Sequence, residues 1–395
     1  MANLTLFTFA ILLSWIYILF FYGRKFNSKE SFFWSSGIVF EKFLLINKEN
    51  EVSDNKKSKV CVVIPARNEE NVITNTLLSI VKQNDVFLDV LIIDDNSTDK
   101  TVYKAKQFFL KKKFKNYKIL SGKKLPVGWS GKVWALYQGV EYLKKSMHDY
   151  LLFLDSDIRL EEKTLIKTIN FLEEKNLKML SLMAKLNCST IWEKLLIPSF
   201  IFFFQKLYPF NLVNNPEKKI AAAAGGFILC KKEVFKNDNM YFKIKNKVID
   251  DCNLANLIKK KGSIWLGLTN LAKSQRKYDK LNDIWKMVSR TAFEQLSYSV
   301  IMLSFSVLGL FFLYIFPIIN LFFLEIKKDG FIYFTNLIIC IIITSVFIPT
   351  IKFYNLKIIY IFTLPFSACL YTLMTLSSAY NFFFKHGNSW KGRNY

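Results

Sequence analysis

Hydrophobic and polar positions divide the chain into three kinds of stretch. Residues 4–22, LTLFTFAILLSWIYILFFY, are an uncharged apolar run close to the roughly 20 residues that cross a hydrocarbon core. Arg24 and Lys25 follow at once, while no charge precedes the run and no small-residue cleavage site follows it. The run therefore predicts an uncleaved anchor, residues 1–24, rather than a signal peptide. The positive-inside rule then puts the chain from residue 24 onward in the cytoplasm. From 58 to 290 short apolar runs alternate with polar helical stretches, the rhythm of one α/β domain. Val60–Ile64, Val86–Ile93 and Tyr150–Leu154 read as buried strands, and Asn71–Lys82 and Ser97–Leu110 as helices, the second opened by a Ser/Thr/Asp cap.

Two further apolar regions follow. Residues 192–213, WEKLLIPSFIFFFQKLYPFNLV, are interrupted by Pro198 and Pro209 and flanked by Lys194 and Lys206. Two prolines argue against a simple span, so an interfacial segment lying on the membrane is expected, with a buried core helix as the alternative. Beyond Ser297, runs near 299–325, 331–350 and 358–384 predict a membrane region, 298–384, of three spans, followed by a basic tail, 385–395. Together with the N-terminal anchor, three spans leave that tail on the side opposite the α/β domain, against its charge. Either the tail is outside or one run does not cross, and Pro317 and Pro365 make a kinked or re-entrant segment an option.

Composition narrows the class. The 55 Lys+Arg against 31 Asp+Glu give +24 in a chain that is 52% hydrophobic and holds 39 Phe, which excludes a disordered scaffold. Six Cys without a CxxC pair and only two His, His148 and His386, argue against a zinc module or a disulfide framework. The lysines from Lys104 to Lys118 fall on the outer face of the second helix and the strand after it, a solvated or membrane-facing surface. The basic excess fits solvated faces, an anionic bilayer and phosphate-bearing ligands, and no nucleic-acid partner is expected.

Polar clusters end three successive strands: Pro65-Ala66-Arg67-Asn68-Glu69-Glu70, then Asp94-Asp95-Asn96-Ser97-Thr98-Asp99, then Asp155-Ser156-Asp157. Ligands of an open α/β sheet bind at the carboxyl ends of its strands, so the three converge on one crevice. Each taken alone has the plain reading of a helix cap or turn. Alternate carboxylates leaving a buried strand, Asp155 and Asp157, suit a hard divalent cation whose remaining positions go to phosphate oxygens and water.

The stretches VVIPARNEE, LIIDDNSTDKT, GKVWALYQG and YLLFLDSDI together resemble glycosyltransferase family 2, inverting enzymes with the GT-A fold. Within it the chain looks most like the membrane-bound hopene-associated glycosyltransferases, through LPVGWSGKVWALYQG, AAAAGGFIL, IDDCNLA, IWKMVSRTAFEQLSYS and the terminal WKGRNY. The resemblance implies a GT-A domain, a mostly parallel sheet with flanking helices, carrying N-terminal and C-terminal transmembrane helices. It implies a hexosyltransferase-type reaction from a nucleotide sugar, with UDP as the expected nucleotide and Mg2+ or Mn2+ as the metal. The acceptor it implies is a hydroxyl-bearing membrane lipid such as a hopanoid or carotenoid, at a bacterial inner membrane.

Carried over by residue, Pro65, Arg67, Glu69, Asp94 and Asp95 border the nucleoside, and Lys132 contacts the base or diphosphate. A lysine suits phosphate as a point charge, beside the N–H groups of a helix start. Asp155 and Asp157 hold the metal, with Asp155 also facing the donor. Of the pair Asp250-Asp251, Asp251 is the expected base and Asp250 orients it, against the plainer reading of a helix cap. Arg276, Arg290 and Arg393 are candidates for the departing diphosphate, or for lipid headgroups.

One departure limits the family reading. Processive polysaccharide synthases carry Gln-x-x-Arg-Trp, whereas this chain reads Met287-Val288-Ser289-Arg290-Thr291, keeping only the arginine. Transfer of a single sugar is therefore expected over polymerisation. The readings that compete are a processive synthase and a non-catalytic basic protein on the membrane surface. The second explains the charge but not three acidic clusters at strand ends.

Overall fold

The computed structural model describes residues 2–21, 38–46, 57–236, 238–384, 389–390 and 393–394. Arg24, Lys25 and most of the basic tail lie outside the described residues. In chain order the elements begin with α1 (Ala2–Phe20), α2 (Phe40–Ile46), β1 (Lys59–Ala66), α3 (Ile73–Val81), β2 (Phe87–Asp94), α4 (Thr101–Lys111) and β3 (Tyr117–Ser121). Next come α5 (Gly131–Leu143), β4 (Tyr150–Leu154), β5 (Ile158–Leu160), α6 (Thr164–Glu174), β6 (Met179–Lys185), α7 (Ile191–Leu207) and α8 (Phe210–Val213). They are followed by β7 (Phe227–Lys231), α9 (Met240–Lys243), α10 (Asp250–Lys259), β8 (Ile264–Ser274), α11 (Leu281–Ser289) and α12 (Ala292–Gln295). The last helices are α13 (Val300–Leu310), α14 (Phe316–Phe323), α15 (Ile326–Phe353) and α16 (Leu364–Phe384).

These elements form two compact units, one of residues 38–187 and 212–277, the other of 1–37, 188–211 and 278–395. The first is built on an eight-stranded mixed sheet of order β3-β2-β1-β4-β7-β6-β8-β5. β3, β2, β1 and β4 run parallel, whereas β7 is antiparallel to both β4 and β6. The central strands are unbroken apolar runs because helices cover both faces of such a sheet. Val60 and Val62–Ile64 of β1 are fully buried, and Tyr150–Leu154 of β4 are buried throughout. The chain moves outward from β1 to β2 to β3 and returns to β4 on the other side of β1, which makes the β1/β4 edge the switch point of the sheet.

Helix α5 buries Val133, Leu136, Val140 and Leu143, a spacing of three and four that makes one apolar face. Gly139 lets that face close onto the sheet. A Cβ there would stand 2.9 Å from Ile93 Cδ1 and 3.1 Å from Val63 Cγ1. The close approach fixes the first turn of α5, and with it Lys132, over the switch point.

The second unit is helical. Four of its helical stretches, Asn3–Phe20, Val300–Phe323, Lys328–Phe353 and Ile358–Phe384, are long and apolar enough to cross a membrane. Prolines inside this unit leave carbonyls without their helical donors, and side chains from other helices supply them. Pro317 has no N–H for Leu313, where the helix loosens into a π turn at Phe311–Ile315, and the Trp15 indole N–H donates to Leu313 O at 3.1 Å. Helix α7 runs through Pro198, and two carbonyls of that turn also take donors from α16. The hydroxyl of Ser367 donates to Leu195 O at 2.8 Å, and that of Tyr371 to Leu196 O at 2.9 Å.

Residues 192–213 differ from the expected segment lying on a surface. They form α7 and α8, and Leu196, Ile197, Ile201 and Phe202 of α7 are buried within the helical unit. The helix continues through Pro198 and packs against α16.

Candidate active site

Parallel register aligns the strand ends that the sequence marked. Ala66 of β1 pairs with Asp94 of β2, and Val63 of β1 pairs with Phe153 of β4, so all three polar clusters leave the same end of the sheet. The first two are laced together. Asp95 N donates to Ala66 O at 2.8 Å, and Arg67 Nη1 donates to Asp95 O at 2.5 Å and Asn96 O at 3.1 Å. Asn68 N donates to Ser97 Oγ, Glu69 N to Thr101 Oγ1 and Glu70 N to Asp99 Oδ2, at 2.7–3.0 Å. The Asp94 carboxylate accepts from Ser97 N. Ser97 is thus spent on the neighbouring loop, while Asp99 serves both that loop through Oδ2 and Thr101 N through Oδ1, and α4 begins at Thr101 instead of Ser97.

The third cluster divides. Asp157 turns toward β8, where Ser274 Oγ donates to its Oδ2 at 2.6 Å and Arg276 Nε lies 3.6 Å away. The same guanidinium holds Glu69, Nη2 to Oε1 at 3.0 Å. Both carboxylates are largely buried. The pairing of Ile158 in β5 with Ser274 in β8 is what brings these distant residues together. The sequence reading missed Ser274 altogether, since nothing near residue 157 signals an antiparallel partner more than a hundred positions later.

Asp155 faces the other way. Its Oδ1 lies 2.8 Å from Lys132 Nζ, which is also 3.8 Å from Asp250 Oδ2. Pro65, Lys132, Asp155, Gly225, Tyr241 and Asp250 line one recess. Asp251 stands beside it at the start of α10, its Oδ2 accepting from Gly225 N and its Oδ1 from Cys252 N, both at 2.8 Å. Burial pushes the Asp251 carboxyl above its ordinary range, against the opposing pull of Lys132 and these two N–H groups. Burial also raises Asp155, Lys132 pulls it down, and Asp157 adds to the rise. Despite its own burial, Lys132 is held firmly charged by Asp155, Asp250 and Asp251.

Gly225, within the stretch AAAAGGFIL, gives its N–H directly to the expected base. Farther back, Lys259 Nζ donates to the carbonyls of Leu212, Val213 and Ile220, pinning the loop that leads into Gly225. Arg290 falls in the helical unit, where it caps the C-terminus of α11, while the other expected site residues belong to the sheet unit. Arg393 belongs to the helical unit as well, in a two-residue strand.

The residues fit a divalent cation by charge and donor type. Glu69, Asp155, Asp157, Asp250 and Asp251 are five carboxylates, against two cations, Lys132 and Arg276. Asp155 Oδ2 and Asp157 Oδ1 carry no hydrogen bond among the described residues. Among the described residues no group of three or more His, Cys, Asp or Glu is arranged around one point. That suits a metal bound by one or two carboxylates plus substrate phosphates, not an all-protein cage.

Residues 61–238 match the sequence profile of the family described as Glycosyl transferase family 2. This segment is a family 2 glycosyltransferase domain. Two curated relatives are both named 4,4'-diaponeurosporenoate glycosyltransferase. The one from Staphylococcus haemolyticus is 29% identical over 32% of this chain and 33% of its own length. The one from a bovine strain of Staphylococcus aureus is 33% identical over 31% of this chain and 30% of its own length. The alignment thus takes in about a third of each relative. A mannosyltransferase from Pyrobaculum calidifontis, solved in complex with GDP-Man and Mn2+, superposes with a TM-score of 0.52 at 12% identity. That superposition covers 97% of this chain and 99% of the other, and it places the family 2 domain in the GT-A fold.

Proposed function

We propose that the protein is an inverting glycosyltransferase that moves a single sugar from a nucleotide-sugar donor to a membrane lipid. The observation that carries this reading is the meeting of Lys132, Asp155 and the Asp250-Asp251 pair at one recess beside the switch point of the sheet. Pro65, Arg67, Glu69, Asp94 and Asp95 border the nucleoside. Lys132 and Arg276 supply positive charge to the diphosphate. Asp155 and Asp157 would hold Mg2+ or Mn2+, whose chemistry is to neutralise charge on the leaving diphosphate.

An inverting displacement needs a carboxylate on the face opposite the leaving group to take the acceptor's proton. Asp251 is that base. Its two oxygens are aimed by the N–H groups of Gly225 and Cys252, and burial raises its proton affinity toward neutral pH. Asp250, close to Lys132, fixes the charge beside it. The family 2 domain and the glycosyltransferase names of the relatives support the reaction type. The four apolar helices support association with a membrane and so a lipid acceptor, and the proposed place is a bacterial inner membrane with the catalytic domain in the cytoplasm. The acceptor class is a hydroxyl-bearing lipid of hopanoid or carotenoid type, and UDP is the expected nucleotide.

The relatives' named substrate, ending in "-oate", is a carboxylate, and a carboxylate acceptor needs no base at neutral pH. Replacing Asp251 separates the two cases. The experiment is transfer from a panel of nucleotide sugars by the full protein in nanodiscs of total bacterial lipid, with and without Mn2+, read by mass spectrometry of the lipids. A mass gain of one sugar on one lipid is expected, and a ladder of masses would favour a processive synthase instead. Asp251→Asn should lower turnover by about 10² to 10⁴ with donor binding intact. Undiminished turnover would remove Asp251 as the base.

A further inference from the structure

The ammonium of Lys132 occupies the place where charge must change when donor and metal arrive. Its Nζ is 2.8 Å from Asp155 Oδ1 and 3.8 Å from Asp250 Oδ2, so it joins the expected metal ligand to the expected base pair. Nor is there slack around it. The open space in the recess is about 10 Å3, close to what one water molecule needs. A Cβ on Gly225 would already stand 2.9 Å from Nζ. A divalent ion bound through Asp155 would stand a few ångströms from the ammonium that already pairs with Oδ1, and two cations that close in a partly buried site repel each other strongly.

Building on the metal-dependent reading above, we propose that Lys132 is a resident counter-ion of Asp155 that the incoming metal and nucleoside diphosphate displace together. Metal alone competes with a tethered cation for the Asp155 carboxylate and gains nothing in return. Metal with diphosphate offers the displaced ammonium a new anionic partner, so the exchange conserves an ion pair. The start of α5 suits the move, since Lys132 lies in its first turn, where the backbone N–H groups also face anions. Donor and metal therefore load as one unit, and the carboxylates are not filled by metal in the absence of nucleotide.

The test is Mn2+ binding to the full protein in nanodiscs, followed by electron paramagnetic resonance of free Mn2+, without nucleotide and then with UDP or GDP. Wild type should bind Mn2+ weakly alone and tightly with the nucleoside diphosphate. In Lys132→Met, Mn2+ alone should bind about tenfold or more tightly than in wild type, as expected when a competing ion pair is removed. The enhancement by nucleotide should shrink correspondingly. Lys132→Gln, which keeps a polar side chain of similar reach, should behave the same way, and Lys132→Arg should resemble wild type.

Adding Asp155→Asn to Lys132→Met should erase the gain. An unchanged Mn2+ affinity in folded Lys132→Met and Lys132→Gln overturns the proposal while leaving the glycosyltransferase reading in place. So does a gain that survives Asp155→Asn. Absence of Mn2+ binding in every protein, nucleotide present or not, overturns the metal-dependent reading itself and the exchange with it.

Discussion

The backbone N–H of Gly225 donates to Asp251 Oδ2 at 2.8 Å, while the space its missing side chain would fill is taken up by Lys132 Nζ and by Asp251 itself. A residue with no Cβ thus sets the position of two charged groups. Gly225→Ala should push on both, since the added carbon would lie 2.9 Å from Nζ and 3.3 Å from Oδ2. Transfer should fall by about 10²-fold, the scale at which small misplacements of reacting groups are felt, mainly in kcat. Steady-state kinetics beside a thermal melt would check it, and an unchanged kcat would show that Asp251 is not in the reaction path.

The raised proton affinity of Asp251 gives a pH dependence with a definite sign. A base works only when unprotonated, so kcat/KM should decline as pH falls through the carboxyl's own pKa. Because burial lifts that pKa, the decline should begin above the ordinary aspartate value of about 3.9. A kcat/KM profile taken between mildly acid and neutral pH would show the limb. A flat profile down to the ordinary value contradicts a buried Asp base and favours an acceptor that arrives already ionised.

Arg276 is a shared partner of Glu69 and Asp157, so its loss should weaken the hold on two largely buried carboxylates at once. Arg276→Ala should cost about 1.5–3 kcal/mol for the charged hydrogen bond to Glu69, seen as a lower Tm, and should raise the donor KM. Arg276→Lys restores the charge but not the fork that reaches both acids, so recovery should be partial. Full recovery by lysine would mean that geometry is unimportant there.

Much of the sheet unit was legible because its strands are buried on both faces and end in chemistry. Tyr150–Leu154 has the bounds expected, β1 extends the expected run by three residues, and β2 is the expected run shifted one residue along. The four apolar helices likewise follow their sequence runs. What stayed hidden is non-local. That Asp157 answers to Ser274 and Arg276, while Asp155 answers to Lys132, depends on an antiparallel pairing with no local signature. The start of α4 lies later than expected because Ser97, a good cap by type, bonds across to Asn68, and it is Asp99 that accepts from Thr101 N where the helix begins. The packing of α7 was obscured by Pro198, because a continuous helix through a proline, held against the distant α16 by Ser367 and Tyr371, has no local signature.

The sheet unit is interrupted in sequence, running from 38 to 187 and resuming from 212 to 277, with 188–211 belonging to the helical unit. The catalytic piece therefore has no clean ends at which to be cut. A truncation from 38 to 277 keeps α7, with its buried Leu196, Ile197, Ile201 and Phe202 stripped of the helices that cover them, and invites aggregation in water. A water-soluble version would have to excise 188–211 and splice residue 187 to residue 212 through a short polar bridge.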